Sequence, residues 1–183
     1  MKKIMFLAAV VFAVMASGQA RAQDTPKEVT VTYNVNSIPG PGSNQIAVWV
    51  EGAGGNYVRS LYASAFTAAG GYERRPVSLS VWTAKSDWKN ASQAEKDAVS
   101  GATQQEGKNT VVWDLKDKEG KIVPNGKYVI KMEANLKNER KMFLSAEVSV
   151  GGGAAATSGV IYYEPADASG DAKIFEDVTV TYK

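Results

Sequence analysis

The sequence predicts an all-β fold: an antiparallel immunoglobulin-like β-sandwich with one short helix. Three observations predict it. Short segments alternate apolar and polar residues, the pattern of strands with one face buried. Clusters of Gly, Pro and Asn separate these segments at hairpin spacing. Only one stretch carries the signature of a helix start. Many short strands with so little helix fit two packed sheets.

Taken along the chain, "EVTVTYNV" (Glu28 to Val35) places Val29, Val31, Tyr33 and Val35 on one face. Residues Ile38 to Asn44, rich in Pro and Gly, make a turn, and Gln45 to Glu51 alternate again. "GAGG" then turns the chain back into Asn56 to Ser64, which completes a hairpin. Val77 to Thr83, "VSLSVWT", is predicted as a further strand. In "NASQAEKDAV", Ser92 and Glu95 have the Ser-x-x-Glu spacing of a capping box, which predicts the helix, with Gly101 to end it. Strands resume at Asn109 to Leu115, and "KYVIKMEANL" and "KMFLSAEVSV" follow beyond a turn region. "GGGAAATSG" (Gly151 to Gly159) is too small-sided to pack and is predicted as a flexible linker or loop, followed by strands within 160–183. The "VTVTY" of Val178 to Tyr182 repeats that of Val29 to Tyr33. Two strands under the same alternation explain this without a duplication.

"MKK", the apolar "IMFLAAVVFAVMA" and "ARA" at Ala20 to Ala22 have the form of a secretory signal peptide, residues 1–22, cleaved after Ala22. The apolar run is too short for a comfortable span and no second one follows. The expectation is therefore a soluble periplasmic protein, with no stable membrane insertion after cleavage. Residues 23–183, 161 in number (183 less 22), suffice for a single β-sandwich domain. Without Lys2, Lys3 and Arg21 the formal charge falls from +2 to −1, so the basic character belongs to the signal. A near-neutral chain with no basic block gives no reason to expect nucleic acid as a partner.

Two absences narrow the chemistry. The chain has no Cys, which removes disulfides, thiolate nucleophiles and Cys-zinc sites. It has no His, which removes an imidazole base, a haem axial His and the Ser-His-Asp triad. Catalysis by a carboxylate pair or a lysine survives without a motif behind it, so no enzymatic activity is expected of the chain itself.

"WDLKDKEGKIVPNGKY" (Trp113 to Tyr128) resembles the W-D-x-x-D-x-x-G-x-x-V-P-x-G-x-Y pattern of immunoglobulin-like modules akin to that of the flagellar hook-cap protein. In that reading Trp113 and Tyr128 pack between the sheets, Asp117 and Gly120 shape one turn, and Pro124 with Gly126 shape another. With "NQIAVWVEGAGGNYVRSLYASAF", "GGYERRPVSLSVW" and "DAVSGAT" in order before it, the chain resembles a family of periplasmic proteins, domain of unknown function 2271, over about Gln45 to Val150. The resemblance implies fold and compartment before function.

Asp97, Ser100, Gly101, Ala102 and Thr103 fit the D-x-x-[ST]-G-A-[ST] pattern read by exported flavin transferases, which join FMN to the last Thr or Ser through a phosphoester. Flavin-bearing subunits of sodium-pumping quinone reductases carry similar sequences. The resemblance implies covalent FMN on Thr103, an exported flavin transferase as one partner, and a membrane or periplasmic redox partner as another. The residue types suit such an attachment. Thr103 supplies a hydroxyl, and Gly101 and Ala102 keep bulk away from a narrow groove. Asp97 is placed to meet the transferase's metal or Ser100. The alternative is a helix end running into a β-turn, in a cofactor-free binding or structural module of the cell envelope. Trp82, Trp88, Tyr72 and Tyr62 could stack on an isoalloxazine ring, although aromatics in a sandwich are more often core. Arg74 and Arg75 could hold a phosphate or a partner's carboxylates, with an exposed strand end as the plainer setting. The acidic turn Asp114, Asp117 and Glu119 has the wrong spacing for a calcium loop.

Overall fold

The computed structural model describes residues 27–39, 44–101, 104–137 and 139–183; the predicted signal peptide lies outside them. The described strands are β1 (Val29–Val35), β2 (Gln45–Gly52), β3 (Tyr57–Ser64), β4 (Ser100–Gly101), β5 (Gly107–Trp113), β6 (Gly126–Lys137), β7 (Arg140–Val150), β8 (Ala155–Ser158), β9 (Val160–Glu164) and β10 (Phe175–Tyr182). They form a four-stranded sheet in the order β5-β1-β10-β8 and a six-stranded sheet in the order β4-β3-β2-β6-β7-β9. Every pairing is antiparallel except the short β3–β4 contact. The two sheets pack face to face as an all-β sandwich.

Alternation sets the core. β1 turns Val29, Val31, Tyr33 and Val35 inward, and β10 adds Phe175, Val178, Val180 and Tyr182. They meet Ile46, Val48 and Val50 of β2, Ile130 and Met132 of β6, and Leu144 of β7. Full burial of one such side chain contributes about 1.5–3 kcal/mol. The two "VTVTY" segments lie side by side: Val29 pairs with Tyr182, Thr30 with Thr181, Val31 with Val180 and Thr32 with Thr179. The repeat is thus a pair of neighbouring strands under one alternation.

The Trp-Asp hairpin has the expected parts in place. Trp113 and Tyr128 are buried and meet edge to face, with ring centroids 5.1 Å apart. The Trp113 indole N–H donates to the Lys116 carbonyl at 2.8 Å, and the Tyr128 hydroxyl to the Pro124 carbonyl at 2.7 Å. Asp117 Oδ1 accepts from the backbone N–H groups of Glu119 and Lys121, and Gly120 takes the positive φ of 80° that the turn requires.

Three expectations are corrected. Val77 to Thr83 is not a strand. The chain turns at Val77 and Ser78, and Ser80–Lys85 form a helix. Asn135 on β6 holds that turn, its Oδ1 accepting from Leu79 N at 2.8 Å and its Nδ2 donating to the Val77 carbonyl at 3.1 Å. What is buried is Ser78, Leu79, Trp82 and Ser86, a helical stripe, while Val81 faces solvent. The helical content therefore exceeds one short helix: a wider π turn at Thr67–Gly71 leads into α1 (Tyr72–Arg74), and α2 (Ser80–Lys85) and α3 (Gln93–Val99) follow, with a tighter 3-10 turn at Trp88–Asn90 between them.

The second correction concerns Gly151 to Gly159, which is not only a linker. Ala155–Ser158 form β8 on the edge of the small sheet, held by backbone bonding to β10, which asks nothing of side-chain size. At Gly159 the chain crosses directly into β9 of the other sheet, where an added Cβ would lie 2.5 Å from Leu144. Third, Gly101 does not cap α3. The helix ends at Ser100 in an extended conformation (φ −66°, ψ 106°), and Gly101 belongs to β4.

Residues 65–99 form a third layer. Trp82, Trp88, Leu79, Ala68 and Val99 pack on the outward side of the large sheet against Ala47, Trp49 and Ala63, a second hydrophobic cluster apart from the main core. This explains why β2 is buried on both faces.

Candidate functional site

The stretch from Asp97 to Thr103 lies where this outer layer rejoins the sheet. Ser92 caps α3, its hydroxyl accepting from Glu95 N at 3.1 Å, as the capping box requires. The Tyr57 hydroxyl, bonded to Ser60 Oγ at 2.8 Å and to Glu95 at 3.4 Å, ties the helix to β3. Burial pushes the pKa of that hydroxyl up to about 12, so it remains a neutral donor. Val99 anchors the buried side of α3 in the second cluster, while Asp97 and Ser100 are exposed. Asp97 Oδ1 accepts from Gln93 Nε2 at 2.7 Å.

Beyond the helix, Ser100 and Gly101 pair in parallel with Ala63 and Ser64 at the edge of the large sheet. An added Cβ at Gly101 would meet the Tyr62 ring at 2.5 Å, so only glycine fits between β4 and that ring. On the far side of Thr103, the Gln104 side chain donates to the Tyr33 hydroxyl and its backbone N–H bonds the Tyr62 hydroxyl. Burial raises the pKa of both tyrosines. Gln104 Oε1 is buried with no hydrogen-bond partner among the described residues. Ala102 and Thr103 themselves lie outside the described residues. The structure thus brings Asp97, Ser100 and Gly101 together and fixes the chain on both sides of the pair between Gly101 and Gln104.

Asp97 and Ser100 line an open groove of about 700 Å³ between α3 and the turn at Ala68–Gly70. Tyr72, Glu73, Lys89 and Lys96 also border it, so its charges balance. Of the four aromatics singled out from the sequence, only Tyr72 borders this groove. Trp82 and Trp88 are wholly buried, their rings 4.7 Å apart, and their indole N–H groups donate to Ser60 Oγ and the Ala68 carbonyl. Tyr62 is buried in the main core. Arg74 and Arg75 are exposed at the end of α1, not at a strand end, and their guanidinium groups lie 5.4 and 4.7 Å from the centre of the Phe66 ring. The acidic turn is spoken for by neighbouring cations: Asp114 pairs with Arg59 and Lys116, each at 3.0 Å, and Glu119 with Lys121 at 2.7 Å. Among the described residues no group of three or more carboxylates could hold a metal ion.

The sequence pattern gives no sign that Gln104 joins Tyr33 to Tyr62. Tyr33 reads only as a strand position, and its hydroxyl partner lies 71 residues away in the chain. The outer layer also escapes the alternation pattern, although a signal for it is present. The unbroken apolar run "AVWV" in β2 implies a strand covered on both faces.

The fold is a two-sheet sandwich with a helical layer on one outer face of the large sheet. A family model described as "Predicted periplasmic protein (DUF2271)" matches residues 27–162, and the chain belongs to that family. The match runs from β1 through most of β9. No curated protein matches the chain, and no solved structure does. Among the described residues no helix is long and apolar enough to cross a membrane.

Proposed function

We propose that this protein carries FMN covalently on Thr103 and relays electrons between partners in the cell envelope. What supports the reading is the placing of the D-x-x-S-G-A-T segment: it starts on an exposed helix end and is anchored on both sides, by Gly101 against Tyr62 and by Gln104 on Tyr33. A segment so held can enter another enzyme's site without the sandwich unfolding. The family description agrees with an envelope location.

Two observations bear on whether the surroundings fit the flavin. The groove beside Ser100 falls in the usual size range of ligand pockets, roughly 300–1,000 Å³, and offers Tyr72 as an aromatic surface with Lys89 and Lys96 as cations. One residue beyond Thr103, Gln104 Oε1 is a buried acceptor with no donor among the described residues, and a bound group could supply one.

Attachment forms an ester bond between the Thr103 hydroxyl oxygen and the flavin phosphorus, with loss of the hydroxyl proton. The donor is a flavin dinucleotide, whose phosphoanhydride bond breaks and whose nucleotide half leaves. When bound, the flavin supplies one- and two-electron chemistry; the chain's residues hold it and set its exposure. The test is the intact mass of the protein from its native envelope, followed by fragmentation across Lys96 to Lys108. The expected result is an added mass of FMN less water on Thr103, lost in Thr103→Ala while the domain still folds. An unmodified peptide from a cell that flavinylates other proteins overturns the reading.

A further inference from the structure

A second groove, of about 630 Å³, runs along α2 where the helical layer gives way to the open outer face of β6, β7 and β9. Its accessible ring is Tyr162 on β9, which stacks on the buried Phe143 of β7 with centroids 5.0 Å apart and planes inclined by 13°. On the opposite lip α2 presents Val81, which is 40% exposed. The groove also holds one anion, and that anion is already matched. Glu51, only 7% exposed, accepts the Trp49 indole N–H at 2.9 Å and faces Lys85 at 3.7 Å.

The remaining cation is different. Lys131 lies 5.6 Å from the centre of the Tyr162 ring and donates to its hydroxyl at 3.4 Å, but makes no ion pair among the described residues. Its strand neighbours are matched: Lys127 pairs with Glu147 at 2.8 Å, and Glu133 with Lys141 at 3.3 Å. An aromatic ring beside an ammonium without a counter-ion suits a flat ring bearing a negative charge. The place is separate from the flavin reading. β4, which carries Ser100 and Gly101, lies three strand spacings from β6 with Lys131 and five from β9 with Tyr162, about 14 and 24 Å.

We propose that this groove binds a small aromatic carboxylate, its ring against Tyr162 and Val81 and its carboxylate on Lys131. The test is calorimetric titration of the full chain with 2-naphthoate and with its neutral counterpart, naphthalene-2-carboxamide. The expected result is a Kd for 2-naphthoate below about 1 mM and binding of the carboxamide weaker by about tenfold or more. Lys131→Met brings the carboxylate down to the level of the carboxamide, and Tyr162→Leu weakens both, while Lys127→Met leaves both unchanged. Equal binding of the two compounds overturns the proposal. Absence of binding by 2-naphthoate overturns it as well. The comparison of the two compounds uses the unaltered protein, so it decides the matter even if a variant does not fold.

Discussion

Gly101 carries two demands at once. As part of the attachment pattern it must be slim enough for another enzyme's groove, and as a neighbour of Tyr62 it must have no Cβ. The second demand is testable without any flavin. In Gly101→Ala the methyl group meets a ring whose hydroxyl is held by Gln104, so the protein loses about 1–3 kcal/mol in urea unfolding. The same substitution made on Tyr62→Leu costs less, because the two changes act on one contact. An additive pair would show that Gly101 and Tyr62 do not press on each other. At this scale the sequence is legible wherever chemistry is local: the Ser92 cap and the inward Val29, Val31 and Tyr33 follow from spacing, and the Asp117 turn from the resemblance that the Trp-Asp hairpin carries. Gln104 is not legible, since an amide in a loop says nothing until the fold brings two distant tyrosines to it.

Helix α2 shows why one element departs from its sequence pattern. "VSLSVWT" alternates well enough for a strand, yet the apolar positions that matter, Leu79 and Trp82, are three apart. Two β6 side chains settle the choice. Asn135 pins the turn, and Glu133 accepts from Trp82 N at 2.7 Å and Val81 N at 3.3 Å. The carboxylate that holds the helix is thus on a strand further along the chain, with an offset of 51 residues for the Trp82 bond, and no local pattern records it.

Glu133 also gives the element a pH dependence. Its complete burial raises the carboxyl pKa above the ordinary 4.5, against the lowering by the two backbone N–H groups and Lys141. Between 4.5 and the raised value the folded protein holds a proton that the unfolded chain has released. The contribution of this group to stability is therefore full below 4.5, falls as pH rises through that window and levels off above it. Glu133→Gln should remove that part of the slope in urea denaturation measured across a pH series. An unchanged slope would mean that the carboxylate ionises as readily folded as unfolded.

The whole molecule depends on a strand that the family match does not reach. The match stops at residue 162, whereas β10 lies between β1 and β8 in the small sheet. Ile174, Phe175, Val178, Val180 and Tyr182 are all buried there. Their burial is worth on the order of 10 kcal/mol, comparable with the entire stability of a domain, about 5–15 kcal/mol. A chain truncated after residue 162 should show no cooperative unfolding transition and no near-ultraviolet circular dichroism. A truncated protein that still unfolds cooperatively would show that β1 and β5 suffice against the large sheet. The sandwich class is legible from alternation, but the partnership of β1 with β10 is not, because alternation tells which face is buried and not which strand is next door.

That partnership has a consequence for how the protein comes into being. Asn34 of β1 bonds Asp177 of β10 at 2.9 Å, across 143 positions of the chain. A polypeptide emerging from any narrow opening in sequence order shows β1 early and must wait for β10 until residue 182 has passed. In the meantime β1 has at most one neighbour, β5, and its inward valines have only half a core. Closing so long a loop is slow and happens late. In chain order β10 is thus the last of the described strands to become available to β1, so the small sheet is completed only after β2, β3, β6 and β7 of the large sheet have all been supplied.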